Sequence, residues 1–216
     1  MHEPRAFSTV HVPEHSLMAA KMSVLPDKTT ITVQFRRALE QIAILLLTQA
    51  SKDWPIITAD IETPLAAITG AKLAQPIVFL CPFYGPVLDY SKECCASFAQ
   101  ADVGHIGLYR YQSACGRSIT IAVTGSSGRV PRCLARPNVA YWTQCDGSGH
   151  AFKGQGAITT EFICVVACAI GVEHLRSAYP YIPVYSGAID PELNEFGYIV
   201  PRRATPAIAT SEPCGS

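Results

Sequence analysis

Apolar residues recur at intervals of three and four positions along residues 32–50, a spacing typical of a helix that buries one face. They are Val33, Phe35, Leu39, Ile42, Ala43 and Leu46. The pattern ends at Asp53-Trp54-Pro55, because proline cannot continue a helix. We therefore predict a helix over residues 32–50, preceded by an irregular N-terminal region.

Short apolar runs elsewhere have the length and the flanking turn residues of buried strands. They lie at residues 77–80, 106–108, 158–167 and 182–185. Residues 172–178, between the last two runs, read as helical or turn structure. Strands that alternate with helices are typical of an α/β domain with a largely parallel sheet. With no internal repeat in the chain, we expect one such domain over residues 1–216.

The charge and hydropathy of the chain limit the classes of partner that we expect for this domain. The 216 residues carry 17 basic and 17 acidic side chains, so the formal net charge is zero, and no Lys/Arg run is present. We therefore expect no nucleic acid and no membrane among its partners. The longest apolar stretches, residues 42–47 and 162–172, are far shorter than the roughly 20 residues of a membrane span. Residues 1–15 lack the apolar segment of a signal peptide, which favours a cytoplasmic location.

The nine cysteines suggest a disulfide scaffold or a metal site at first sight. Only Cys164 and Cys168 lie in the apolar run at residues 158–167 or directly after it, where alternation along a strand places them on one face. Core packing is favoured over zinc ligation for this pair, and no metal site is assigned. A cysteine-rich secreted binding protein stays open as a further hypothesis, which identical mobility on reducing and non-reducing gels would remove.

Two parts of the chain resemble uracil phosphoribosyltransferases. The motif V-G-H-I-G-L-Y-R at residues 103–110 and the segment at residues 156–201 follow that family closely. The longer segment contains G-V-E-H-L-R-S-A-Y-P, P-V-Y-S-G-A-I-D and L-N-E-F-G-Y-I-V-P. A weaker N-terminal resemblance includes Asp27-Lys28 and Glu62-Thr63-Pro64-Leu65. Together these regions cover somewhat over half of the chain.

The resemblance implies a fold and a reaction. The fold is a type I phosphoribosyltransferase-like α/β domain with a largely parallel central sheet flanked by helices. The reaction converts uracil and phosphoribosyl diphosphate (PRPP) to UMP and diphosphate in pyrimidine salvage, with Mg²⁺ accompanying PRPP. A cytoplasmic homodimer or higher homo-oligomer is implied as well. A GTP effector stays open.

The family resemblance implies a binding role for two residues of this chain. Arg110 matches the family arginine that contacts the PRPP phosphates, and a guanidinium suits bidentate phosphate binding. Ile199 matches the residue whose backbone helps to recognise the edge of uracil. The alternatives are a surface ion pair for Arg110 and an ordinary strand or turn residue for Ile199. No catalytic residue is assigned.

Three segments, residues 82–101, 111–152 and 202–216, do not match the family. The four motifs that normally form its catalytic loops are absent from them. Codons that can encode these segments spell the four motifs when they are read out of phase, in the correct order. We therefore hypothesise that the segments are frameshifted. The alternative function is a catalytically inactive product of the same gene that has lost the PRPP- and uracil-binding loops.

Overall fold

The computed structural model of the protein describes residues 10–82, 101–107, 120–124, 132–135, 159–193 and 199–200. In chain order, these residues form β1 (Val10–His11), α1 (Ser16–Val24), α2 (Thr32–Ala50), a 3-10 turn (Ser51–Asp53), β2 (Ile56–Glu62), β3 (Ala67–Leu73), β4 (Val78–Pro82), β5 (Asp102–Gly107), β6 (Thr120–Thr124), β7 (Arg132–Ala135), β8 (Thr159–Cys168), α3 (Ala169–Ala178), β9 (Val184–Asp190), β10 (Glu192–Leu193) and β11 (Ile199–Val200).

Seven strands form the central sheet, in the order β1-β9-β8-β7-β4-β5-β6. Every neighbouring pair is parallel except β5 and β6. The strands β8 and β9 are joined by α3, as expected for a crossover between parallel strands. The sequence prediction of an α/β domain with a largely parallel sheet is confirmed.

The helix predicted over residues 32–50 is present with those bounds as α2. Its buried side chains repeat at helical spacing and form most of the core with α1 and the sheet. They are Phe35, Ala38, Leu39, Ile42, Ala43, Leu46, Leu47 and Ala50. Val33 is an exception, because it belongs to the apolar pattern but is 56% exposed in the first turn.

The prediction of an irregular N-terminal region is wrong for residues 16–24, which form α1. Packing explains this helix better than its own sequence pattern does, since Met18 and Met22 are buried in the core beside α2. The imidazole Nδ1 of His15 also accepts a hydrogen bond of 3.1 Å from the N–H of Leu17. This bond satisfies a backbone donor that the first turn of a helix leaves free.

A buried polar contact fixes the direction of α2 relative to the sheet. The indole Nε1 of Trp54, just beyond α2, donates to Glu161 Oε1 at 3.1 Å, and Glu161 stands near the start of β8. The C-terminal end of α2 therefore lies at the amino end of β8.

The strands β2 and β3 form a separate antiparallel hairpin that the sequence analysis did not predict. Opposite residues of such a hairpin lie on the same face, so Ile57, Ile61 and Ile68 share one side. These three side chains are 52%, 39% and 51% exposed. In the part of the chain that the structure describes, the hairpin therefore presents an uncovered and largely apolar face, here called the hairpin face, which also carries Lys72 opposite Ile57.

Candidate active site at the carboxyl edge of the sheet

The carboxyl ends of β8 and β9 lie side by side at one edge of the central sheet. Cys168 ends β8 and pairs in register with Asp190, which ends β9. Both residues are buried, at 0% and 3% exposure. Ligands of open parallel sheets bind in the crevice outside the carboxyl ends of the strands. This edge is therefore the candidate active site.

The antiparallel pair β10–β11, here called the edge hairpin, follows β9 at this edge. The strand β10 begins two residues after Asp190, and Leu193 pairs in register with Ile199. The structure thus places Ile199, the predicted uracil-binding residue, on a strand tied closely to the carboxyl end of β9. Its contact with uracil stays a prediction.

Arg110, the predicted PRPP-binding residue, lies outside the described residues, and the structure does not test its role. It follows β5, whose residues Asp102–Gly107 include most of the V-G-H-I-G-L-Y-R motif. The segments that do not match the family are residues 82–101, 111–152 and 202–216, and most of their residues also lie outside the described part of the chain. The strands β6 and β7 fall within them, as does Pro82, which ends β4 opposite Ile106.

Four buried residues line one face of β9. Val184, Ser186, Ala188 and Asp190 alternate with more exposed neighbours, as the two-residue period of a strand requires. Ser186 satisfies its hydroxyl internally, because its Oγ donates to the carbonyl oxygen of Ala188 at 2.7 Å. Asp190 is the only charged member of this face. Sequence reasoning missed Asp190, because an acid next to a proline reads as a turn residue.

Cys164 and Cys168 are both buried thiols on β8, and neither forms a disulfide. This agrees with the sequence interpretation of the pair as core residues. Among the residues that the structure describes, no group of three or more His, Cys, Asp and Glu side chains could hold a metal ion. The described part of the candidate site therefore offers no protein cage for a metal.

The turn before α2 contains a carboxyl whose pKa clearly departs from its ordinary value. Asp27 Oδ1 accepts hydrogen bonds from the backbone N–H of Thr29 at 2.8 Å and from the Thr29 hydroxyl at 2.7 Å. These bonds favour the ionised carboxylate, and they lower the pKa of Asp27 below 3.8, the backbone bond contributing most. Asp27 is exposed, so its ionisation affects mainly the stability of this turn.

The largely parallel sheet and the site at its carboxyl edge define an α/β protein of the type I phosphoribosyltransferase class. The fold is shared with the AQ2163 protein from Aquifex aeolicus, at a TM-score of 0.78 and 16% identity, over 90% of this chain and 93% of the other.

Sequence comparisons identify the family within this class. The uracil phosphoribosyltransferase family profile matches residues 12–120. A uracil phosphoribosyltransferase of Ligilactobacillus salivarius is 30% identical over 191 residues, covering 88% of this chain and 91% of the relative. A second, from Shouchella clausii, is 31% identical over 193 residues, covering 89% and 92%. This chain belongs to the uracil phosphoribosyltransferase family.

The comparisons favour the main functional interpretation over its alternative. The matches to the curated relatives run along about nine-tenths of the chain, including segments that the sequence analysis set apart. They give no support to a catalytically inactive product. Within the described residues, no helix combines the length and the apolar character that crossing a membrane requires.

Proposed function

We propose that this protein transfers the 5-phosphoribosyl group of PRPP to uracil, which gives UMP and diphosphate in pyrimidine salvage. The observation that carries the proposal is family membership over almost the whole chain, in relatives named as uracil phosphoribosyltransferases. An α/β fold binds such substrates at the carboxyl edge of its sheet, which is the edge where β8 and β9 end.

In this reaction, N1 of uracil forms a bond to C1 of the ribose while the bond from C1 to the diphosphate oxygen breaks. The diphosphate carries away the electron pair of the broken bond, and the N1 proton of uracil passes to it through solvent. The protein accelerates the step mainly by holding the two substrates in line and by stabilising the charge that develops. The backbone of Ile199 would recognise uracil, and Arg110 would bind the phosphates of PRPP.

Mg²⁺ would accompany PRPP rather than occupy a protein cage. The described residues contain no cluster of three or more candidate ligands, so they do not fit a dedicated metal site. Mg²⁺ commonly keeps several waters and binds substrate phosphates with few protein ligands. No step of the transfer reaction is therefore assigned to the metal. Its contribution when bound would be to neutralise the diphosphate charge.

A homodimer is the proposed assembly, and the hairpin face supports it. The hairpin face carries Ile57, Ile61 and Ile68, and it belongs to a two-stranded sheet that is separate from the central sheet. Exposed apolar patches of this kind mark protein–protein contacts. A second copy of the chain brings an identical face, which suits a two-fold contact. A cytoplasmic location and a GTP effector, both implied by the family resemblance, complete the proposal.

The decisive experiment measures UMP formation from labelled uracil and PRPP with Mg²⁺. The sample is the purified full-length chain, with its intact mass confirmed. Turnover with uracil, and none when orotate or hypoxanthine replaces it, is the expected result. A folded sample that forms no UMP would refute the proposed activity.

A pair of arginine variants locates the PRPP site. Arg110→Gln removes the proposed phosphate-binding guanidinium, whereas Arg37→Gln makes the same change on the exposed side of α2. We expect Arg110→Gln to raise KM for PRPP by about tenfold or more, since a charge-assisted bond is lost. Arg37→Gln should leave KM for PRPP unchanged. Equal effects of the two variants would contradict the role of Arg110.

A further inference from the structure

Asp190 is a charged residue in an apolar setting. It is 3% exposed and shares its face of β9 with Val184 and Ala188. Burying a carboxylate costs free energy unless hydrogen bonds compensate it, so a valine would be the simpler choice for this face. A carboxylate at this position indicates a need for an acceptor at the end of the strand.

The chain after Asp190 turns at once into the edge hairpin. Pro191 follows it, and β10 begins at Glu192. An aspartate before a proline favours a turn in which the carboxylate accepts a hydrogen bond from the backbone two residues further on. The N–H group in that position belongs to Glu192, which pairs in register with Val200 of β11.

The edge hairpin is short where the structure describes it. Among its described residues, Glu192 pairs with Val200 and Leu193 pairs with Ile199. A single two-stranded hairpin is marginally stable in isolation. The join to the central sheet is therefore a place that can fix its orientation, and Asp190 is the residue that ends that sheet strand.

We propose that Asp190 is a positioning residue that fixes the edge hairpin against the end of β9 by capping the turn into β10. The inference rests on the proposed function for its catalytic consequence, because Ile199 of this hairpin is the proposed uracil-binding residue. Asp190 itself contacts no reacting atom in this scheme. It acts by holding the backbone of Ile199 in place.

The proposal is tested by three variants of the full chain. Asp190→Asn keeps a side-chain acceptor, Asp190→Val removes it in a shape that suits a strand, and Ser186→Ala removes a different buried polar group from the same strand. Amide hydrogen exchange is measured over residues 191–200 and over β8. We expect Asp190→Val to speed exchange at residues 191–200 by about tenfold or more, as the loss of one bond to a charged group implies.

The other variants define the specificity of this effect. Asp190→Asn should exchange within about threefold of the parent, because its amide oxygen still caps the turn. Ser186→Ala should leave residues 191–200 unchanged. Faster exchange spread equally over β8 would overturn the proposal, as would an Asn variant as fast as the Val variant, or no change in either. If Asp190→Val does not fold, Asp190→Ala removes the acceptor with a smaller side chain.

Kinetics add a second readout that separates this inference from the proposed function. Asp190→Val should raise KM for uracil by about tenfold while KM for PRPP stays within about twofold, since only the uracil contact moves. Equal increases in both constants would contradict the positioning role. If the parent chain forms no UMP, the proposed function fails, and hydrogen exchange alone still decides whether Asp190 holds the edge hairpin.

Discussion

The indole of Trp54 and the carboxylate of Glu161 form a buried hydrogen bond between residues far apart in the sequence. Nε1 lies 3.1 Å from Oε1 and 3.3 Å from Oε2. Trp54 is 7% exposed and Glu161 is 5% exposed. The bond joins the end of α2 to the beginning of β8, and it sets the direction of the main core helix across the sheet.

Trp54→Phe should lower the free energy of unfolding by about 1–3 kcal/mol, because a buried carboxylate loses one of its donors. Glu161→Gln is the matched variant, since its amide oxygen can still accept from the indole. We expect a smaller loss for that variant. Urea denaturation measures both, read from the midpoint at an unchanged slope. A loss for Trp54→Phe no larger than that for Glu161→Gln would show that the bond contributes little.

Gly187 is required by close packing on β9. A Cβ at this position would lie 2.8 Å from Met22 Sδ and 2.8 Å from the backbone oxygen of Val165. The backbone oxygen cannot move aside cheaply, so Gly187→Ala should destabilise the protein by about 1–3 kcal/mol. Thermal unfolding measures the change.

Gly70→Ala is the control for this prediction. A Cβ there would also collide with a neighbour, but the atom it meets is Ile61 Cδ1, the end of a flexible side chain on the hairpin. The isoleucine can rotate, so we expect a change within about 0.5 kcal/mol. Equal destabilisation by the two substitutions would indicate that the contact of Gly187 with the backbone of Val165 is unimportant.

Two lysine substitutions, one on each side of the hairpin, test whether the hairpin face forms the dimer contact. Ile68→Lys places an ammonium on the face shared with Ile57 and Ile61, whereas Thr69→Lys places it on the opposite, equally accessible face. Sedimentation velocity should show the Ile68 variant as a monomer, at a cost of about 2 kcal/mol or more in association. The Thr69 variant should keep the parent mass. Unchanged assembly of the Ile68 variant would exclude this face as the contact.

The pH dependence of the turn before α2 follows from the lowered pKa of Asp27. A depressed pKa in the folded state adds stability above the ordinary value of 3.8, and this stability is lost as the pH falls through the lowered value. Thr29→Val removes the hydroxyl donor and keeps the larger backbone contribution. The pKa of Asp27 should therefore rise only part of the way towards 3.8, which an NMR titration of the carboxyl carbon measures. An unchanged pKa would show that the hydroxyl has no part in the shift.

The sequence predicted the elements whose residues carry a strong local pattern. The helix α2 has a continuous apolar stripe, and the strands β4 and β8 contain runs that are apolar on both faces, as a buried parallel sheet requires. The runs predicted at residues 106–108 and 182–185 overlap only the end of β5 and the start of β9. The resemblance to the family added Ile199, which the structure places on β11.

Other features depend on contacts that no local pattern reveals. The helix α1 buries only Met18 and Met22, and its packing partners come from distant parts of the chain. The hairpin of β2 and β3 exposes its apolar side chains, so burial gives no signal for it. Trp54 and Glu161 meet only after α2 has packed on the sheet. The burial of Asp190 likewise depends on the whole sheet rather than on its neighbours in sequence.

The pairing of β1 with β9 has a kinetic consequence. Val10 and His11 pair with Val184 and Tyr185, so two segments far apart in the sequence meet in neighbouring strands. Closing so long a loop carries an entropic cost before any contact rewards it. The pairing of β1 with β9 therefore has a higher loop-closure cost than the pairing of sequence neighbours such as β2 and β3. On the ribosome, β1 cannot find its partner until Val184 and Tyr185 have been synthesised.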